Sequence, residues 1–94
     1  MSLDATLIST IRNYFEDKPI LKAYLFGSVA RGEVDEEGDI DILVELDYSQ
    51  PIGLEFIQMQ LGLQDLLHQK VDLISDKAVS KYIRPTIDQD KVLI

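Results

Sequence analysis

Apolar residues recur along this chain first at helical spacing and then in alternation, and the switches between the two mark its elements. Leu3, Leu7, Ile8, Ile11 and Phe15 lie three or four residues apart and predict a first helix, which Ser2 or Asp4 can cap. Asp17-Lys18-Pro19 ends it, because proline disfavours helical geometry in the residue before it. Leu21 to Phe26, apolar and aromatic-rich between Pro19 and Gly27, predict a strand. Ser28 to Arg31 read as one short helical turn, and Glu33 to Gly38, acidic and ending in glycine, as a loop. Asp39 to Leu46 give the most regular strand pattern: Ile40, Ile42, Val44 and Leu46 on one face, Asp39, Asp41 and Glu45 on the other.

A second loop at Asp47 to Pro51 leads into a predicted helix over about Ile52 to Gln69. Its apolar positions cover more than one narrow stripe, which suggests a helix buried along a sheet with surface left for another chain. Gly62 is the weak point of that helix. Lys70 to Ser75 predict a third strand. Ser75 or Asp76 can cap a last helix from Lys77 to about Arg84, with Pro85 kinking or ending it, and Lys91 to Ile94 can add a short edge strand. The alternation predicts an α/β (α+β) fold: a small mixed sheet of three to four strands with helices packed mainly on one face.

Composition narrows what such a fold can do. With 94 residues, residues 1–94 are expected to form a single domain. No cysteine is present, which excludes disulfides and thiolate metal sites. There is no basic, apolar leader at Met1, and no run approaches the ~20 apolar residues of a membrane span, so a cytoplasmic location without membrane contact is expected. Nine basic residues against seventeen acidic ones give a net charge of −8. Gripping a nucleic-acid backbone normally takes concentrated Lys and Arg, so no direct nucleic-acid partner is expected. The acid excess suits metal binding or a basic protein partner, or serves solubility alone.

The candidate chemistry lies at Gly27-Ser28-Val29-Ala30-Arg31-Gly32 and Gly38-Asp39-Ile40-Asp41. A glycine turn after a strand lets backbone come close to a phosphate, a following helix start offers N–H groups, and Ser28 adds a hydroxyl. A tight turn with no ligand would carry the same residues. Gly27 and Gly32 have P-loop spacing, but Glu33-Val34 stand where that motif needs Lys and Ser or Thr. Asp39 and Asp41, two apart on a strand, project from one face roughly 6–7 Å apart. Such carboxylates repel unless a cation lies between them, and oxygen-only ligation suits Mg²⁺; solvated surface charge is the alternative. Asp72, amid Val71, Leu73 and Ile74, joins them if its strand neighbours Asp39–Leu46, and is otherwise an aspartate at the sheet rim. Three such carboxylates can hold two ions ~3.5–4 Å apart for in-line phosphoryl transfer. Asp72 could then also act as a general base. An EF-hand over Asp35 to Glu45 fails, since Ile40 occupies the glycine position. The lone His68 and the absence of cysteine leave no zinc site and no catalytic triad.

These residues resemble the minimal nucleotidyltransferases, the short members of the DNA polymerase β-like superfamily: a Gly-Ser turn, Arg-Gly, a short loop, Asp-x-Asp on the next strand, and a later strand with a third acid, here Lys70-Val71-Asp72-Leu73-Ile74. The similarity covers nearly the whole chain, with Gly38 standing where these proteins usually have serine. The resemblance implies a nucleotidyltransferase-like fold and transfer of AMP from ATP, with Mg²⁺, to a hydroxyl. Gly27 and Ser28 would hold the triphosphate, and Arg31 would pair with a carboxylate in or beside the site. Asp39 and Asp41 would hold the metals, and Asp72 the metal or the acceptor hydroxyl. Many minimal members resemble antitoxins that modify a tyrosine of a HEPN toxin, which implies a protein acceptor and a homo- or hetero-oligomer. A non-catalytic antitoxin acting by binding alone, and nucleotidylation of a small molecule such as an aminoglycoside, are the alternatives.

Overall fold

The computed structural model describes residues 5–27, 29–32 and 39–94. The first helix α1 (Ala5–Phe15) turns its Ile11 and Phe15 into the core, as the spacing predicts; its expected caps, Ser2 and Asp4, lie outside the described residues. Strand β1 (Ile20–Phe26) follows the Pro19 turn, and β2 (Ile40–Leu46) runs antiparallel beside it, pairing Phe26 with Asp41 and Ala23 with Val44. Helix α2 (Glu55–Leu67) then returns the chain to β3 (Val71–Ser75), which lies parallel to β2. The strand order is β3-β2-β1-β4, where β4 (Val92–Leu93) pairs antiparallel with β1.

Alternation along the strands divides the side chains between the two faces of the sheet. Ile40, Ile42, Val44, Ala23, Leu25, Val71 and Leu73 share one buried cluster with Ile11 and Phe15 of α1 and Met59 and Leu63 of α2. Close approach of the two helices depends on Gly62: a Cβ there would run into the Tyr14 hydroxyl. Leu43 is also fully buried, although it falls on the face shared with Asp41 and Glu45. That face is therefore not purely polar. Leu43 pairs with Tyr24 and Ile74, and α3 (Arg84–Asp90), whose Ile87 is buried, stands on that side against Phe26 and Ile74.

The C-terminal third differs from expectation. Instead of a helix over 77–84 ended by Pro85, Asp76–Ala78 make a single 3-10 turn and α3 begins at Arg84, with Pro85 in its first turn. First-turn N–H groups have no acceptor within the helix, so proline loses nothing there and its fixed φ favours starting one. The Arg84 guanidinium ties that start to the turn, donating to the Asp76 carboxylate at 3.0 Å and to the Asp76 carbonyl at 2.6 Å.

Strand β3 is at the edge of the sheet, and α2 covers its outward N–H groups. Gln64 Oε1 accepts from the Val71 amide at 3.1 Å, and Gln60 Oε1 from the Leu73 amide at 3.3 Å. Two glutamines one helical turn apart match two amides two residues apart, which blunts an edge that would otherwise invite pairing. Replacing both glutamines by alanine is expected to lower stability by about 1–2 kcal/mol, read as a lower urea midpoint with an unchanged slope.

Candidate active site

The parallel register of β2 and β3 sets Asp41 directly beside Asp72. Partners in register project from the same face of a sheet, so Asp39, Asp41 and Asp72 all belong to the side away from α1 and α2. The condition set for Asp72 by the sequence, that its strand neighbour Asp39–Leu46, is met. Its surroundings differ from those expected of a residue between Val71 and Leu73: both neighbours point into the core while Asp72 itself is exposed, so its charge is not carried into apolar surroundings.

Gly27, at the end of β1, has φ +72°, where glycine is the residue of choice, and a Cβ on it would strike the Asp41 carboxylate. The absent side chain is what lets Asp41 lie against the turn. Residues 29–32 form a turn beyond it, with the Arg31 amide donating to the Gly27 carbonyl at 3.2 Å and the Gly32 amide to the Val29 carbonyl at 3.2 Å. Gly32, at φ +76°, closes that turn. Ser28, the loop over 33–38 and Gly38 lie outside the described residues.

Electrostatics tie these groups together. The Asp41 carboxyl is held above its ordinary value of 3.8, first by burial, then by the neighbouring charges of Asp72 and Asp39, with Arg31 pulling the other way. A carboxyl protonated more easily in the folded chain than in the unfolded one supports folding fully below its unfolded value, and that support is lost as pH rises through the raised one. Asp41→Asn is therefore expected to melt at a higher temperature than the native chain at pH 7. The gain should shrink towards about pH 4, as thermal unfolding at the two pH values would show.

Two partners were not anticipated. Lys70, the register neighbour of Asp39, places its Nζ 3.7 Å from Asp39 Oδ2. It lies two residues before Asp72 and so on the same side, a relation visible in sequence once β2 and β3 are known to be parallel. Arg31 Nη1 donates to Asp90 Oδ2 at 2.8 Å, which joins the glycine turn to α3 across 59 positions of sequence. Arg31 does pair with a carboxylate beside the site, and the carboxylate belongs to α3. No three carboxylate or histidine side chains among the described residues are drawn close enough to chelate an ion in this arrangement. The donor set is nevertheless chemically suited to Mg²⁺: all oxygen, on one side of one sheet, with Asp41 under repulsion that a cation would relieve.

Residues 9–94 match the family described as polymerase beta, nucleotidyltransferase. The chain is a nucleotidyltransferase of that family. A Methanocaldococcus jannaschii relative, provisionally named a protein adenylyltransferase, is 38% identical to this nucleotidyltransferase over 86 residues, spanning 88% of this chain and 86% of its own. The protein adenylyltransferase MntA of Thermococcus cleftensis is 36% identical over 70 residues, 74% of this chain and 70% of its own. The fold is shared with a solved complex of a tri-AMPylated Shewanella oneidensis HEPN toxin with its MNT antitoxin. There the TM-score is 0.63 at 20% identity, covering 94% of this chain and 65% of that one. Among the described residues of the nucleotidyltransferase, no helix is long and apolar enough to cross a membrane.

Proposed function

We propose that this nucleotidyltransferase transfers AMP from ATP to a hydroxyl of a partner protein, a HEPN toxin, and serves as its antitoxin. The observation that carries the reading is the placement of Asp41 beside Asp72 in register, with Gly27, bare of a side chain, against Asp41. That arrangement brings the backbone of the glycine turn and the carboxylates together, as binding a metal-bound triphosphate would require. The named activity of the relatives and the toxin partner of the structural neighbour support the choice of acceptor.

In this reading Asp39 and Asp41 would hold Mg²⁺, and Asp72 would face either the metal or the acceptor hydroxyl. The bound cation would neutralise the triphosphate and the charge that develops at the α-phosphorus. The backbone of the glycine turn, with Ser28, cradles the phosphates. Asp72, the most exposed of the three acids, faces an incoming hydroxyl and takes its proton as the acceptor oxygen bonds to the α-phosphorus. The bond from that phosphorus to the bridging oxygen breaks, and pyrophosphate leaves. Lys70, drawn to Asp39 before nucleotide arrives, is placed to follow the phosphate charge once it does.

The test is incubation with Mg-ATP and the HEPN protein of the same genome, followed by intact-mass measurement of both chains. A gain of one or more AMP units on the partner is the expected result. A partner mass that stays unchanged while the complex forms would sink the transfer reading.

A further inference from the structure

On the side of the sheet that carries the carboxylates, a groove of about 280 Å³ opens beside the glycine turn. Its apolar walls are Phe26 and Ile74 from the strands and Ile83 and Ile87 from the start and middle of α3. Gly27 and Arg31 contribute to the lining from the glycine turn. Phe26 is the register partner of Asp41, and Ile74 stands two residues beyond Asp72 on the same strand, so the groove adjoins the candidate site. Thr86 and Asp90, one turn apart on α3, are its polar members.

We propose that this groove receives the base of the nucleoside triphosphate, and that Thr86 and Asp90 favour adenine, which presents an amine at the ring edge where guanine presents a carbonyl. The proposal rests on the reading of Gly27, Asp41 and Asp72 as the phosphate site. Gly27 and Arg31 belong both to the glycine turn and to the lining of the groove, so phosphates held at that turn would have the groove beside them. Apolar walls with a few convergent polar groups are what a planar heterocycle requires. Ile83 is half exposed and gains most from being covered. Asp90 already has Arg31 as its counter-charge, so the groove suits a neutral ring rather than another cation. The carboxylate and the Thr86 hydroxyl can both accept from an amine. The carbonyl of guanine or uracil at that edge would set lone pairs against the Asp90 carboxylate.

Calorimetric titration in Mg²⁺ buffer with ATP, GTP and inorganic tripolyphosphate tests this, because tripolyphosphate uses the phosphate site alone. Ile83 and Thr86 are both exposed, so Ile83→Asp and Thr86→Val spare the core. Ile83→Asp is expected to weaken ATP by roughly tenfold while tripolyphosphate stays within about twofold. Thr86→Val should lower the preference for ATP over GTP several-fold, and it carries the test alone if Ile83→Asp proves unstable by circular dichroism. Equal weakening of ATP and tripolyphosphate, or unchanged ATP binding in both variants, would overturn the groove assignment and leave the phosphate site standing. A native chain that binds neither ligand would instead overturn the phosphate site, and the groove with it.

Discussion

The double variant Asp39→Asn, Asp41→Asn is expected to lose AMP transfer by a factor of about a thousand or more, while still folding and still binding its partner. An amide keeps the shape of each carboxylate but carries no charge, so neither side chain can offset the cation that a triphosphate requires. The fold should tolerate the change, since Asp41 ionises at a cost and loses that cost as asparagine. Raised stability together with lost activity is the signature of a residue kept for chemistry rather than for packing. The measurement is transfer of labelled AMP to the partner, alongside a binding titration and a toxicity rescue in cells. Full rescue by the double variant would favour an antitoxin that works by occlusion. Binding kept while rescue is lost assigns neutralisation to the chemistry.

Much of this site was legible because strand periodicity is short and regular. Asp39 and Asp41 alternate with Ile40 and Ile42, and that pattern alone places the two acids together and opposite the core. What periodicity cannot give is which strands are neighbours. Asp41 and Asp72 are adjacent only because α2 carries the chain back to a parallel strand, and both the surface Asp72 occupies and the closeness of Lys70 to Asp39 follow from that pairing. Leu43 was hidden for a similar reason. Its side of β2 reads as polar from Asp41 and Glu45, while α3, distant in sequence, covers part of that side. Pro85 misled because proline looks the same at the end of one helix and the beginning of the next. The Arg31–Asp90 pair joins residues with no local pattern to connect them, and the groove beside it depends on that same docking of α3.

Gly27→Ala is expected to be the most damaging single substitution that removes no functional group. Two costs combine at this position. The backbone sits at φ +72°, where an L side chain costs about 1–2 kcal/mol, and the new methyl would occupy the place of the Asp41 carboxylate oxygen. Asp41 must then turn away from the glycine turn, which opens the arrangement that the phosphates need. Gly53 supplies the control: its φ is +42° and a Cβ there meets nothing within 4 Å, so Gly53→Ala should cost only the backbone part, about 1 kcal/mol, and leave transfer intact. Urea unfolding separates the two contributions when Gly27→Ala is also made in an Asp41→Ala background. With the carboxylate gone the methyl has space, and the stability loss from Gly27→Ala should fall towards that of Gly53→Ala. The same loss in both backgrounds would mean that the backbone angle alone makes glycine necessary, and that Asp41 is held in place by something other than the missing side chain.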